Sequence, residues 1–398
     1  MTIRIGQGAR FSAGTFYPTD VSGCSLWLRA DMGVTLVEPV VAAPNDISSG
    51  SWSKANSSAT NTYTLQDTND GGAVYHYIEQ TVTNLRASNE ATITLEIKSG
   101  TKTQIQVNLS GSKFAIFDTS DGSVYSTNGT ASTTSLGGGW WSASLTAVPV
   151  SGVIQLLIAS GGTSNYQGNG TGTILIRNVN VTQYNVSSWA NQASGWASSV
   201  SQGTAANRPL WQPAGFNNMP CLDFSETLDH YLTGTGGSIN SEITLFAAVA
   251  WDDSATENYQ YALTLGEDTG NYTLYTITRD DNISQTYYSY PGGAIPASDG
   301  TYVYVDSTNH IVTAKYINDS QKHYAWHDGT ADTVEVLPSL CTVTNRVTVG
   351  TYVGSGPTFT GNFNGRVAEL IGFNSPLNDT NRQRVQQYMG SRYSIVVA

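Results

Sequence analysis

The sequence predicts an all-β chain built as two β-sandwiches and closed by one short helix. Three observations carry that prediction. Charged residues are only 12% of the chain, about half the roughly 25% usual for soluble proteins. The polar surface is instead Ser, Thr, Asn, Gly and Tyr, with 40 Gly and 22 Tyr, a mixture that favours strands and turns over helices. Apolar residues alternate at a period of two: Ile93, Leu95 and Ile97 share one strand face, and Ile105, Val107 and Leu109 share another. Gly- and Asn-rich turns separate these runs, and no period of 20–50 residues marks a repeat or fibrous shaft. At about 100–200 residues per domain, 398 residues make two or three domains.

Residues 1–20 read as a Gly- and Ser-bearing arm ending near Pro18. Cys24–Asp31 (CSLWLRAD) is an alternating strand that opens a core, and Val37–Pro44 (VEPVVAAP) reads as a linker because two prolines flank small residues. Residues 47–183 form a self-contained series of short strands, among them Ala91–Lys98, Thr103–Leu109, Trp140–Ala147, Val153–Ala159 and Thr173–Val181. That spacing argues a sandwich or jelly roll. After Tyr184–Ser188 and a turn-rich segment to Pro220, strands resume at Cys221–Phe224 and continue through Ile243–Trp251 to Gly361–Phe373. This is a second, larger sandwich. The one helical pattern lies near Asp379–Ser391: Asn378 is its N-cap, Val385, Tyr388 and Met389 form its apolar face, and Arg392 suits its negative end.

Net charge bounds the partners. A formal −12 repels phosphate backbones and anionic lipid, which excludes nucleic-acid and membrane-surface binding. No apolar run approaches the ~18 residues of a spanning helix, and MTIRIGQGARFSAGTFYP has no apolar core of a secretory signal. The expectation is a protein folded in the cytosol. Three scattered cysteines, Cys24, Cys221 and Cys341, in no CxxC pattern read as small buried apolar residues.

Candidate chemistry is sparse. A glycoside hydrolase of the retaining type needs two carboxyl groups ~5–5.5 Å apart, and no E-x-D-x-E pattern supplies them. Glu96 and Glu335 stand alone, and Asp280-Asp281 are adjacent and so point to opposite strand faces. Neither G-x-S-x-G nor H-E-x-x-H occurs. The expectation is a protein that is not an enzyme. Asp67, Asn69 and Asp70 can offer oxygen ligands to calcium, the one cofactor the sequence suggests, but with no completing Glu in place they read first as an Asx-rich turn. His323 and His327 share a strand face without a third ligand, which suits packed or solvated histidines. Tyr272, Tyr275, Tyr287, Tyr288, Tyr290 and Trp326 are candidate platforms for sugar rings, since Tyr and Trp offer rigid area with a polar tip; tyrosine is also an ordinary strand residue.

Two resemblances add to this. The ending Phe363-Asn-Gly-Arg-Val-Ala-Glu-Leu-Ile-Gly-Phe-Asn-Ser-Pro-Leu377, with Arg382–Tyr388 and Ser391–Ile395, resembles the close of concanavalin A-like (laminin-G-like) domains of phage and bacterial surface proteins. Leu26–Asp31, Trp189–Ala193, Arg208-Pro209 and Pro220–Phe224 resemble the start of that family, here interrupted by about 150 residues between Asp31 and Trp189. Within the interruption, Trp52–Asn56, Tyr75–Tyr77, Thr94–Lys98, Gly139–Leu145 and Tyr166–Thr171 resemble carbohydrate-binding-module-like jelly rolls of phage tail and fibre proteins, although Ile174–Asn178 lacks their last-strand Trp. The resemblance implies a jelly roll, 47–183, inserted into a discontinuous sandwich, 21–36 plus 186–398. It also implies a virion surface protein, a tail fibre or head fibre component that binds host-surface glycan. The arm 1–20 would dock it to other virion proteins, and a trimer would give weak sites avidity. A passive capsid decoration protein is the alternative, and a glycan-degrading enzyme the third reading.

Overall fold

The computed structural model describes the chain except residues 1, 5–15, 88–89, 111, 241, 253–258, 267–273, 281–282, 291–292, 295–307, 318–321, 332–334, 337–345 and 354–358. Side chains are described for neither these nor residues 2–4, 259, 274–276, 278–280, 283–290, 293–294, 335–336, 353 and 359–360. The protein is all-β with one α-helix and three single-turn 3-10 helices among the described residues, and its antiparallel sheets pack as sandwiches. It divides into two compact units, residues 37–183 and residues 2–36 with 184–398.

The unit 37–183 has two six-stranded antiparallel sheets. One runs Val124–Thr127, Phe114–Asp118, Gln104–Asn108, Val153–Ala159, Tyr77–Thr81, Ser53–Ala55. The other runs Thr130–Gly137, Trp140–Ala147, Ala91–Ser99, Thr173–Thr182, Thr64–Asp67, Ser57–Asn61. Period-two alternation decides which side chains meet between them. Ile105, Val107, Ile154, Leu156 and Ile158 from the first sheet pack with Ile93, Leu95, Ile97, Leu145 and Ile176 from the second. Gln80 points inward too; its amide accepts from Ala42 N and donates to Ala42 O and Ser51 O, tying down the segment that enters the unit.

In the other unit, Cys24–Arg29 and Ile243–Trp251 both pair with Gly365–Phe373, and Ile243–Trp251 also pairs with His310–Ile317. Ile243–Trp251 is buried along its whole length because both of its faces are covered, which is why it reads as a continuous apolar run. Leu245, Ala247, Val249 and Trp251 face the sandwich core, while Phe246, Ala248 and Ala250 face the helix Asp379–Tyr393 through Val385, Met389 and Tyr393. The helix begins where the sequence puts it: Asn378 Oδ1 accepts from Asn381 N at 2.9 Å. Among the described residues no helix is long and apolar enough to cross a membrane.

One buried carboxylate anchors that helix. Glu369, fully enclosed, stands opposite Arg29 in register. It accepts from Trp27 Nε1, from Tyr388 OH at 3.0 Å and from Tyr393 OH at 2.9 Å. Arg392 lies 3.8 Å away and bonds Asp31 at 2.6 Å, and Asp31 also pairs with Arg29. Burial pushes the Glu369 carboxyl up, and Arg392, Trp27 and Tyr393 oppose the shift. The helix is thus held by apolar packing and by a carboxylate whose donors come from both ends of this unit's sequence. Residues 16–20 belong to the same unit: Phe16 meets Tyr388 edge-on at 6.0 Å, and Tyr17 lies 6.0 Å from Trp27.

Candidate functional site

The strand QIQVN, Gln104–Asn108, buries Ile105 and Val107, so Gln104, Gln106 and Asn108 point away from the core. Register then aligns polar neighbours on the same outer face. Asn108 stands opposite Gln155, and Gln155 opposite Glu79. Their side chains form a ladder: Gln106 Nε2 donates to Asn108 Oδ1 at 2.7 Å, Asn108 Nδ2 to Gln155 Oε1 at 3.1 Å, and Gln155 Nε2 to Glu79 Oε2 at 2.8 Å. At about 4.8 Å between strands, its last three members reach about 10 Å across the sheet.

The carboxylate dictates the direction of every bond in the ladder. An ionised Glu79 can only accept, so Gln155 must turn its NH2 toward Glu79 and its carbonyl toward Asn108. Asn108 and then Gln106 are oriented by the same logic. Gln106 Oε1 and Glu79 Oε1 are left without a partner among the described residues, and each amide keeps a second N–H. This is a preorganised row of donors bounded by two acceptors.

The ladder leads to a recess at its Glu79 end. Ile116 and Leu157 also point away from the core, yet each is only 3% exposed, and Asn108 is 6% exposed. Tyr77 stands opposite Leu157 on one flank, and Phe114 opposite Asn108 at one end. Tyr125, 58% exposed, forms the other lip. Its ring lies so close to Gly162 that a Cβ there would stand 2.1 Å from Tyr125 Cε1, at a backbone φ of +80° that suits glycine. The Gly162 N–H in turn donates to Gln104 Oε1 at 2.8 Å. Beyond Glu79 the face opens into a cleft of about 260 Å³ bordered by Ser51, Ser53, Thr81 and Val153. Aromatic lips, oriented amides and an adjoining cleft are the ingredients of a small-ligand site.

The opposite outer face of the same unit is different. Thr92 bonds Thr146 and Ser132 bonds Ser144, each at 2.8 Å. Glu96 accepts from Asn178 at 2.7 Å and Arg177 at 2.6 Å, and these two, Asn178 first, hold its carboxyl below the usual range. The Arg177 guanidinium also covers the Trp140 ring at 4.0 Å. Polar groups on that face are paired with one another.

The residues singled out by sequence fall elsewhere. Tyr272 lies outside the described residues, as do the side chains of Tyr275, Tyr287, Tyr288 and Tyr290; the backbone sets Tyr275 opposite Tyr288 and Tyr287 opposite Thr276. Trp326 is 6% exposed, with the Arg382 guanidinium 4.2 Å over its ring and Tyr324 stacked at 6.0 Å. It packs under the helix and presents no open face. Asp67 is buried; its oxygens accept from Gly172 N at 2.8 Å and Tyr166 OH at 3.2 Å. Asn69 bridges to Asn169, and Asp70 accepts from Thr68 Oγ1 and lies 3.4 Å from His76 Nδ1. A calcium ion at Asp67 would have to displace two donors. Among the described residues no three His, Cys, Asp or Glu side chains gather as a metal site. His323 stacks on Tyr316 at 4.6 Å, and burial lowers its pKa to about 3.

No family model matches the chain, and no curated protein matches it. Solved structures similar to parts of it include the CBM40 domain of the Ruminococcus gnavus IT-sialidase bound to α2,3-sialyllactose, at 12% identity and TM-score 0.33, covering 37% of this chain and 83% of that one. The SAP-like pentraxin of Limulus polyphemus matches at 10% identity and TM-score 0.31, covering 38% of this chain and 72% of that one. The binding domain of botulinum neurotoxin serotype D matches at 9% and 0.35, covering 52% and 51%. Likenesses this distant carry no argument about what the chain binds.

Proposed function

We propose that the protein is a glycan-binding adhesin, and that the outer face carrying Gln106, Asn108, Gln155 and Glu79 is its sugar-binding surface. The observation that carries this reading is the ladder's fixed polarity beside an open cleft. Sugar hydroxyls both donate and accept, and they match a row of spare amide N–H groups between two free acceptors. Aromatic lips at Tyr77, Phe114 and Tyr125 suit the apolar faces of sugar rings. The protein binds without turning its ligand over, since the ladder brings one carboxylate among amides rather than the pair a glycosidase uses.

On the resemblance of its segments to phage surface modules, we place it on a tailed phage particle, as a tail fibre or head fibre component. Residues 1–20 dock it to other virion proteins, the module 47–183 is inserted into the second sandwich, and a trimer multiplies weak sites into useful avidity. The test is binding of the labelled full-length protein to candidate host cells and a glycan panel, with and without calcium. The expected result is saturable binding that soluble sugar competes away. Absence of binding even when the protein is multimerised on beads would overturn the adhesin reading in favour of a passive decoration protein.

A further inference from the structure

Resting on the glycan reading, the charges around the ladder say which glycans it takes. Glu79 closes one end of the ladder with an unpartnered carboxylate oxygen. On the same outer face Asp118 accepts from Gln104 Nε2 at 3.3 Å, its other oxygen taken by Ser120. The six strands of this sheet contain a single Lys or Arg, Lys54. It stands opposite the inward-facing Ile78, and its ammonium bonds the carbonyls of Trp52, Ser49 and Ser48. The face therefore has negative charge and oriented amides, and none of its strands sends a cation to receive an acid.

We infer that the recess selects uncharged, hydroxyl-bearing sugars and rejects carboxylated ones such as sialic and uronic acids, with Glu79 as the specificity-determining residue. Glu79 acts in two ways. It repels an incoming carboxylate in a partly desolvated site, where like charges are costly. It also polarises the ladder, so that the amides present N–H groups in one fixed order.

The test is a panel of matched pairs on the full-length protein: lactose against sialyllactose, and methyl-esterified against free oligogalacturonate. The expected result is binding of the neutral member with the carboxylated one at least about tenfold weaker, a gap that narrows as salt rises. Ser53 stands opposite Glu79, so Ser53→Lys should narrow the gap while leaving the ladder intact. Glu79→Gln should narrow it too and weaken neutral binding, because an amide lets the ladder run in either direction. Equal or tighter binding of the carboxylated members by the wild type would overturn the inference and leave the glycan reading standing. Failure to bind either member of any pair would overturn the glycan reading itself.

Discussion

Two of the sheet faces that point away from the sandwich cores each present a glutamate that accepts hydrogen bonds from neighbouring side chains. In one, Glu369 is sealed beneath the helix Asp379–Tyr393, with Trp27, Tyr388, Tyr393 and Arg392 gathered around it. In the other, Glu79 ends a ladder of amides with one oxygen unused and a cleft beside it. The first face is completed by the chain itself and the second is not. Identical chemistry serves structure where its partners are internal, and it becomes a site where they must be brought from outside.

The largest effect should come from breaking the sealed face. Glu369→Ala leaves two phenols and an indole N–H without their acceptor and takes away the charge 3.8 Å from Arg392, and removing one partner of a buried charged cluster typically costs about 3–5 kcal/mol. Glu79→Ala, at a partly open position, should stay within about 1 kcal/mol. Urea unfolding of the two variants reads the difference directly, and equal losses would erase the distinction between the faces.

A second test uses pH on the same unit. Asp223, opposite Arg366 in register, has its carboxyl pushed up to about 6 by burial, with Arg366 opposing and Asp252 adding. A carboxyl raised on folding holds its proton more tightly in the folded state. Its contribution is therefore complete below the ordinary value of 3.8 and is lost as pH rises through about 6. At 1.36 kcal/mol per pH unit the loss is at most about 3 kcal/mol. Stability followed between pH 4 and 8 should fall in the wild type and be flatter in Asp223→Asn; identical profiles would remove Asp223 as the cause.

Much of the fold was legible because it rests on local pattern. The alternation in Ile93–Ile97 and Ile105–Leu109 marks core-facing positions, and Asn378 caps the helix where expected. The site was not legible for the same physical reason. Glu79, Gln106, Asn108 and Gln155 lie on three strands, and only register makes them neighbours. The available signal was the outward set of QIQVN, three amides where a solvent face more often carries Ser, Thr or Lys. Trp326 drew attention by residue type, but the helix that delivers Arg382 onto its ring is placed by tertiary packing. Asp67 reads locally as a turn ligand, yet its donors Tyr166 and Gly172 arrive from about 100 residues away.

The most direct measurement is sugar affinity for three versions of the full-length protein: wild type, Gln155→Ala, and Trp140→Ala on the opposite face. Removing Gln155 breaks the ladder between Asn108 and Glu79, and loss of one well-placed hydrogen-bonding group should weaken binding about tenfold. Trp140→Ala should leave affinity within about twofold, since Arg177 already covers its ring. Binding unchanged in Gln155→Ala but lost in Trp140→Ala would contradict the account and move the site to the other sheet.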